Sequence, residues 1–245
     1  MDYKDFIPGN TETFELMGLE SKLGLKFQLW AKVENSNPTG SIKDRTVYNM
    51  LLSYQKERNL EGVTIIEATS GNTGISLAYY SNIFKYKCII VMPKSMSKQR
   101  REMISSYGAE LCLVDGGMKE CEEEAFKMAE EMDNAFVFGQ FDNKANFEAH
   151  YQTAEEIIKQ CPDVKYIVAG IGTGGTITGI GKYIKEHNLD IKVIGVEPKQ
   201  SPLLSEGEAH PHKIQGIGPD FVPPILDLHI LNAVVDVDDE LSIEY

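Results

Sequence analysis

The stretch VTIIEATSGNTGISLA, residues 63–78, reads as a buried strand, a turn of small polar residues and the start of a helix. The same alternation of short apolar runs and helical stretches continues along the chain. Short strands that are apolar throughout, each followed by a helix, are typical of parallel sheets covered by helices on both faces. The sequence therefore predicts an α/β fold.

This pattern predicts the positions of the individual elements. Strands are predicted at 27–33, 63–67, 87–92, 110–114, 135–138, 165–169 and 191–197, and in the VVDV run at 234–237. Helices are predicted from Lys43 to about Arg58 and at about 73–83, 97–107, 118–132, 145–160 and 176–187. Residues 198–224, rich in proline and glycine, are expected to form an active-site loop or a mobile surface without regular structure.

Composition excludes several classes of function. The 245-residue chain has a formal net charge of -13, which argues against nucleic acid or an anionic membrane as a partner, since either needs a basic face. No apolar run could span a bilayer, and the N-terminal MDYKDFIPGN lacks the apolar core of a signal peptide, so we expect a cytoplasmic protein with a mature start. The four cysteines lack metal-ligand spacing, so no metal site is expected, and Cys88 and Cys112 are expected to be buried, inert thiols.

A second junction between a strand and a helix, VAGIGTGGTITGIGKY at 168–183, is rich in glycine and threonine. Glycines let backbone N–H groups converge, and a helix N-terminus attracts phosphate through its dipole and its unpaired donors. We therefore expect a phosphate to be bound by Gly172, Thr173, Gly174, Gly175 and Thr176; the alternative is a tight turn that only needs small residues. The junction echoes residues 63–83, and two such halves would fit two α/β lobes that face a shared cleft.

The turn after the strand at 63–67 is dense in hydrogen-bonding side chains. Thr69, Ser70, Asn72 and Thr73 offer amide and hydroxyl donors in a small space, which suits a carboxylate or a phosphate. The alternative is a helix N-cap in which Ser70 or Asn72 satisfies the first-turn amides. Both can hold at once, and the density of donors favours a ligand.

Lys43 lies in NPTGSIKDR, residues 37–45, where a turn leads into the predicted helix. The helix dipole disfavours a lysine in the first turn, so its presence there suggests a purpose. Partial burial and the positive helix end are expected to lower its pKa. A neutral amine is the nucleophile that Schiff-base chemistry requires.

Together, these segments resemble the fold-type II pyridoxal-phosphate enzymes, and most closely the cysteine synthase (O-acetylserine sulfhydrylase) family. NPTGSIKDR matches the family's lysine motif, TSGNTG its substrate loop and GTGGTITG its phosphate loop. The resemblance extends to MPKSMSKQRR, GQFDNKANFEAHYQT, VEPKQSPLL and PHKIQGIGPDFVP, and so runs along nearly the entire chain. It implies two lobes with mainly parallel sheets flanked by helices. Residues 38–145 would form a smaller, mobile lobe with the substrate loop, and residues 1–37 and 146–245 a larger lobe for the cofactor phosphate.

The resemblance also implies a role for each matching residue. Lys43 would bind pyridoxal 5'-phosphate covalently and later move protons, Asn72 would hydrogen-bond the 3′-oxygen of the ring, and residues 172–176 would cradle the phosphate. The substrate carboxylate would be bound by four polar side chains, those of Thr69, Ser70, Thr73 and Gln140. Gly216 would line the cleft. The implied reaction is β-replacement, in which O-acetyl-L-serine and sulfide give L-cysteine and acetate.

Partners and alternatives follow from the same resemblance. Family members are usually homodimers and commonly bind the C-terminal tail of serine acetyltransferase, so a second copy and that tail are the expected macromolecular partners. Family members continue past LSIEY, where this chain stops, with a segment that contacts the pyridine nitrogen; turnover by the short chain is therefore expected to be impaired. The alternatives are a cystathionine β-synthase-like enzyme, which joins serine and homocysteine, and a non-catalytic form that keeps only the tail binding.

Overall fold

A computed structural model of the chain describes residues 6–244, which divide into two compact units. We call Lys43–Asn146 the central unit, and the described residues of Met1–Ile42 and Phe147–Tyr245 together the terminal unit. Each unit contains a parallel β-sheet and flanking helices, which confirms the predicted α/β class. The lobe limits implied by the resemblance, 38–145 against the remainder, stay a prediction.

The central unit is built on one four-stranded sheet. Its strands are β3 (Thr64–Ala68), β4 (Lys87–Pro93), β5 (Glu110–Val114) and β6 (Ala135–Val137). They lie in the order β5-β4-β3-β6 and all run parallel. Every residue of β3 is buried, as is every residue of β4 except Lys87. Such continuous burial is typical of strands that are covered on both faces.

Helices supply that cover. They are α2 (Lys43–Glu57), α3 (Asn72–Phe84), α4 (Lys98–Ser106) and α5 (Met118–Glu131). Ile65 and Ile90 belong to a core cluster with residues of α2, α3 and α4, whereas Ile66 and Val91 pack with Ala125 of α5 in another. Because successive strand residues point to opposite faces of the sheet, Ile65 and Ile66 of β3 belong to different core clusters.

The terminal unit has a smaller sheet and a separate strand pair. The sheet consists of β7 (Tyr166–Gly170), β8 (Lys192–Pro198) and β9 (Ala233–Val237), parallel and in that order. The antiparallel pair is β1 (Thr13–Glu15) and β2 (Trp30–Lys32). The helices are α1 (Met17–Leu23), α6 (Lys144–Gln160, in this unit from Phe147), α7 (Gly175–Glu186) and α8 (Asp239–Glu244). Ile177, Ile180 and Ile184 of α7 form the core with Ile167 and Val193 of the sheet.

One face of the terminal unit's sheet is exposed. Tyr166, Val168 and Val235 are 66%, 60% and 43% exposed, respectively. The register pairs Val168 with Ile194 and Gly170 with Val196, which in turn pairs with Val235, so these three side chains share a face. The expectation of a sheet covered on both faces is therefore met in the central unit and not in the terminal unit.

The element predictions agree with the structure at most positions. β3 to β9 and α2 to α7 lie within one or two residues of the predicted limits. The strand predicted at 27–33 is shorter, Trp30–Lys32, and β1 and α1 were not predicted. Between β8 and β9 the chain contains only one short 3₁₀ turn, Leu228–Ile230, which confirms the irregular segment predicted at 198–224. Among the helices of residues 6–244, none combines the length and the apolar character that crossing a bilayer requires.

Candidate active site

Lys43 is the first residue of α2 and follows a tight turn. In that turn the backbone N–H of Gly40 donates to the carbonyl of Asn37 over 2.8 Å, and Gly40 has a φ of 85°. Glycine adopts this left-handed conformation without the steric cost that other residues pay. The side chain of Asn37 donates to the carbonyl of Glu34 over 2.8 Å, which fixes the turn further. The turn predicted within NPTGSIKDR is therefore present.

The Lys43 side chain is half-buried. Loss of water on burial lowers its pKa, which confirms the predicted direction. The positive end of α2 is expected to act in the same sense. A lowered pKa raises the fraction of neutral amine, the form that attacks a carbonyl carbon.

A fully buried carboxyl group, that of Asp44, follows Lys43 directly. The hydroxyl of Ser76 donates to Oδ1 of Asp44 over 2.6 Å, and Ser76 is also fully buried. The bond ties the first turn of α2 to α3, and so restrains the position from which Lys43 projects. Asp44 was not among the predicted site residues, although its place inside the lysine motif was an available signal.

The turn at residues 69–73 joins β3 to α3. The N-cap of α3 is Gly71, and no side chain caps its first-turn amides. The alternative in which Ser70 or Asn72 caps the helix is therefore wrong, because the helix begins at Asn72 and Gly71 takes the capping position. The uncapped amides remain available to an anionic ligand.

Two contacts fix this turn. The backbone N–H of Gly71 donates to Oγ1 of Thr69 over 3.2 Å, and Nη1 of Arg100 in α4 donates to the carbonyl of Ser70 over 2.5 Å. Arg100 lies in MPKSMSKQRR, which the sequence analysis matched as a motif without assigning a role to this residue. The guanidinium thus holds the backbone of the predicted substrate loop.

Thr73 and Gln140 are brought together although they lie 67 residues apart in the sequence. The hydroxyl of Thr73 donates to Oε1 of Gln140 over 2.6 Å, and both side chains are buried. The backbone N–H of Gly139 donates to the carboxyl of Glu67 over 3.0 Å, and Gln140 also hydrogen-bonds Glu67. Glu67 was not among the predicted site residues, although a charged residue inside an otherwise apolar strand was an available signal.

The glycine-rich loop begins α7 in the terminal unit. Its N-cap is Gly174, which has a φ of 83° and no side chain that could cap the helix. An added Cβ at Gly174 would lie 2.8 Å from Cβ of Leu226, so small size as well as conformation requires glycine here. The hydroxyl of Thr173 accepts a hydrogen bond from the N–H of Gly175 over 3.4 Å. The loop therefore presents the N-terminus of a helix, which is the kind of site that attracts a phosphate.

Gly216 packs against this loop. A Cβ at Gly172 would lie 2.4 Å from the carbonyl oxygen of Gly216, and one at Gly170 would lie 2.6 Å from Cγ2 of Ile217. The backbone N–H of Gly218 donates to the carbonyl of Ile171 over 2.9 Å. The segment KIQGIG and the glycine-rich loop thus lie in close contact, which explains Gly170 and Gly172, whereas Gly216 has a φ of 87° that itself favours glycine.

A buried histidine contacts the same loop. His150 of α6 is 1% exposed, its Nε2 lies 3.3 Å from Oγ1 of Thr176, and its Nδ1 lies 3.2 Å from Oγ1 of Thr153. The imidazole therefore restrains one hydroxyl of the predicted phosphate loop. His150 lies in GQFDNKANFEAHYQT, a motif from which the sequence analysis singled out only Gln140.

The cysteines have the properties of unreactive thiols. Cys88 is buried, and burial raises its pKa to about 12. Burial also raises the pKa of Cys112, which is half-buried rather than buried as expected. Since the thiolate is the nucleophilic form, neither residue is suited to attack a substrate near neutral pH.

Proteins of similar sequence and similar structure are known. The profile of a family described as pyridoxal-phosphate dependent enzyme matches residues 5–245. A cysteine synthase of Flavobacterium sp. is 45% identical over 242 residues, which cover 97% of this chain and 78% of that protein. The crystal structure of cysteine synthase (OASS) from Entamoeba histolytica matches with a TM-score of 0.92 and 36% identity, covering 96% of this chain and 71% of that one. A hydrogen sulfide-producing enzyme from Fusobacterium nucleatum matches with a TM-score of 0.89 and 39% identity, covering 98% and 80%.

Proposed function

Since the chain belongs to the cysteine synthase family of pyridoxal-phosphate dependent enzymes, we propose that it makes L-cysteine and acetate from O-acetyl-L-serine and sulfide. The observation that carries this choice of reaction is the 45% identity, over 97% of the chain, to a protein named cysteine synthase. The residues described above support it, because they include an amine with a lowered pKa and two helix N-termini that have glycine as the N-cap.

The residues of each unit fit pyridoxal phosphate. In the central unit, Lys43 offers an amine for the cofactor's aldehyde carbon, and Asn72 offers an amide for its 3′-oxygen. In the terminal unit, the glycine-rich loop at 172–176 offers backbone N–H groups and threonine hydroxyls for its phosphate. A Cβ at Gly172 or Gly174 would collide with neighbouring atoms, so both positions of the loop require glycine.

Bound pyridoxal phosphate supplies an electron sink for the pair that remains when the Cα–H bond of the substrate breaks. Lys43 Nζ takes that proton, and returns one to Cα at the end of the reaction. Acetate leaves Cβ with its bonding electrons, and sulfide forms the new bond to Cβ. A lowered pKa suits Lys43 to this work because the neutral amine can accept a proton near neutral pH.

The polar turn of the central unit binds the substrate carboxylate in this proposal. The uncapped N-terminus of α3 lies in the turn that contains Thr69, Ser70 and Thr73. Gln140 joins this turn through its hydrogen bond with Thr73. A carboxylate there gains charge-assisted hydrogen bonds and a favourable helix dipole. Arg100 holds the Ser70 carbonyl, so the amides of the turn keep one orientation.

The experiment is a substrate panel on the purified holoenzyme. Cysteine formation from O-acetyl-L-serine and sulfide is measured beside cystathionine formation from serine and homocysteine. The proposal predicts the first activity and a shift of the cofactor's visible absorbance on adding O-acetyl-L-serine. Lys43→Ala should abolish both, whereas Lys56→Ala, at an exposed position of the same helix, should change neither. Cystathionine formation alone would favour the cystathionine β-synthase alternative.

A second candidate reaction is elimination from L-cysteine with release of sulfide. It is favoured by the Fusobacterium nucleatum relative, which is described as a hydrogen sulfide-producing enzyme. Incubating the holoenzyme with L-cysteine alone and measuring sulfide tests it. A rate that exceeds cysteine synthesis would make elimination the main reaction.

Two macromolecular partners belong to the proposal as well. A second copy of the chain is expected as a homodimer, which light scattering of the purified protein tests. The C-terminal tail of serine acetyltransferase is expected to compete with O-acetyl-L-serine. Titration of the tail peptide against the cofactor's fluorescence tests this, and a signal that the peptide leaves unchanged would remove it as a partner.

A further inference from the structure

Glu67 is an ionisable residue within the buried strand β3. It is 3% exposed, and all four other residues of the strand are buried too. Burial raises the pKa of Glu67 to about 8, against the opposing effect of hydrogen bonds from Gly139 and Gln140. At pH 7, about nine in ten of these carboxyl groups carry a proton. An uncharged acid is thus kept next to the residues that are proposed to bind a carboxylate.

Gln140 links Glu67 to Thr73. Its side chain hydrogen-bonds Glu67, and its Oε1 accepts the hydroxyl proton of Thr73 over 2.6 Å. A glutamine amide has one accepting end and one donating end, so a chain of three groups through it has two possible directions. In the direction seen in the structure, the amide nitrogen of Gln140 donates to Glu67, and the hydroxyl of Thr73 donates its proton to Gln140.

Protonation of Glu67 favours the opposite direction. The acid O–H then donates to Oε1 of Gln140, and Nε2 of Gln140 donates to Oγ1 of Thr73. The hydroxyl proton of Thr73 becomes free to donate to a ligand. A neutral Glu67 also avoids like-charge repulsion with a carboxylate bound nearby.

We propose that Glu67 is a positioning residue whose proton sets the direction of the Glu67–Gln140–Thr73 chain, so that Thr73 donates its hydroxyl proton to the carboxylate of the amino-acid substrate. The inference rests on the proposed function, and it adds the residue that decides when the carboxylate site can accept an anion. Glu67 itself acts through Gln140 and Thr73.

Other ionisable groups act on or near Glu67. The charge of Glu122 in α5 adds to the effect of burial and raises the pKa of Glu67. Burial raises the pKa of Cys88 in β4 to about 12. Tyr54 of α2 interacts with Glu67 and with Asp142, and burial raises its pKa as well. Cys88 and Tyr54 therefore stay neutral between about pH 7 and pH 9, the range in which Glu67 loses its proton.

The test measures binding of L-serine to the holoenzyme through the cofactor's absorbance, at pH 7 and pH 9, in the wild type and in Glu67→Gln. The variant's amide donates to Oε1 of Gln140 at both pH values, and so mimics the protonated acid. Between these pH values the protonated fraction of Glu67 falls about tenfold, so the ratio of the wild-type Kd to the variant Kd should rise about tenfold. Ionisation of the ligand's amine and of Lys43 changes the Kd of the wild type and the Kd of the variant by the same factor, and so leaves this ratio unchanged. A ratio that is the same at both pH values would overturn the inference.

Thr73→Val supplies a second test that does not depend on the folding of Glu67→Gln. Valine has a similar shape but lacks the hydroxyl, so the substitution removes the group through which Glu67 acts. Its effect on the Kd for L-serine should be large at pH 7 and should shrink several-fold at pH 9, where the wild-type hydroxyl proton is already used by Gln140. An equal effect at both pH values contradicts the inference.

The inference and the proposed function fail in different ways. If L-serine shifts the absorbance of the wild-type holoenzyme but the pH profiles are parallel, only the role of Glu67 is lost. If L-serine causes no shift in the wild type at either pH, the carboxylate site is wrong and the role of Glu67 falls with it.

Discussion

Replacing Gly172 by alanine tests the packing of the glycine-rich loop. The added Cβ would lie 2.4 Å from the carbonyl oxygen of Gly216, whereas ordinary contact begins at 3.4 Å, so the backbone at Gly216 must move by about 1 Å. Gly172 is not among the glycines with positive φ, so alanine adds no backbone strain of its own. Overpacking of this kind costs about 1–3 kcal/mol. If the cost falls on the bound state, the Kd for pyridoxal phosphate rises roughly 5- to 150-fold.

Two assays show whether the added Cβ weakens cofactor binding or lowers the stability of the protein. Titration of the apoenzyme with pyridoxal phosphate reports the change in affinity, and urea unfolding of the apoenzyme reports the change in stability. Gly18→Ala is the matched control, because nothing lies within 4 Å of its added Cβ; we expect unchanged affinity and unchanged or slightly higher stability. Gly172→Ala with wild-type affinity and wild-type stability would refute the close approach of Gly216.

Three further predictions concern the central unit. Ser76→Ala removes a donor from the buried carboxyl of Asp44 and should lower the free energy of unfolding by about 1–3 kcal/mol in urea denaturation; no change would mean that the bond contributes nothing. Arg100→Ala frees the carbonyl of Ser70 and should raise the KM for O-acetyl-L-serine about tenfold in steady-state kinetics with a smaller change in kcat, and an effect on kcat alone would contradict this role. Glu67 has a pKa raised from 4.5 to about 8 on folding, so the folded chain binds more protons than the unfolded chain across that window. Wild-type stability relative to Glu67→Gln should therefore fall from about pH 5 to pH 8 in urea unfolding, and a constant difference would show that Glu67 is not held protonated.

Local patterns predicted most of the fold. β3 to β9 are short apolar runs and α2 to α7 are long periodic segments, and both kinds of signal lie within the element itself. β1, with 3 residues, and α1, with 7, are too short for either period to develop. The exposed face with Tyr166 and Val168 could not be predicted from the sequence either, because apolar composition does not reveal whether a second layer covers a strand.

The candidate site likewise contains features that the local sequence predicts and features that depend on residues far apart in the sequence. The helix start at Lys43 and the glycine-rich start of α7 could be predicted because both depend on neighbours in the sequence. The link from Glu67 through Gln140 to Thr73 could not, because Gly139 and Gln140 lie more than 70 residues beyond Glu67 and meet it only in the folded sheet. The N-cap interpretation failed for a smaller reason, a shift of one residue that made Gly71 the cap.

The central claim is that the amine of Lys43 binds pyridoxal phosphate covalently. Borohydride reduction of the folded holoenzyme makes such a link permanent, and mass spectrometry of the digested protein locates it. We predict a pyridoxyl-phosphate group on the peptide that contains Lys43, and its loss in Lys43→Ala. The same group on a different lysine, or on none while the protein is folded and carries the cofactor's absorbance, would contradict the claim.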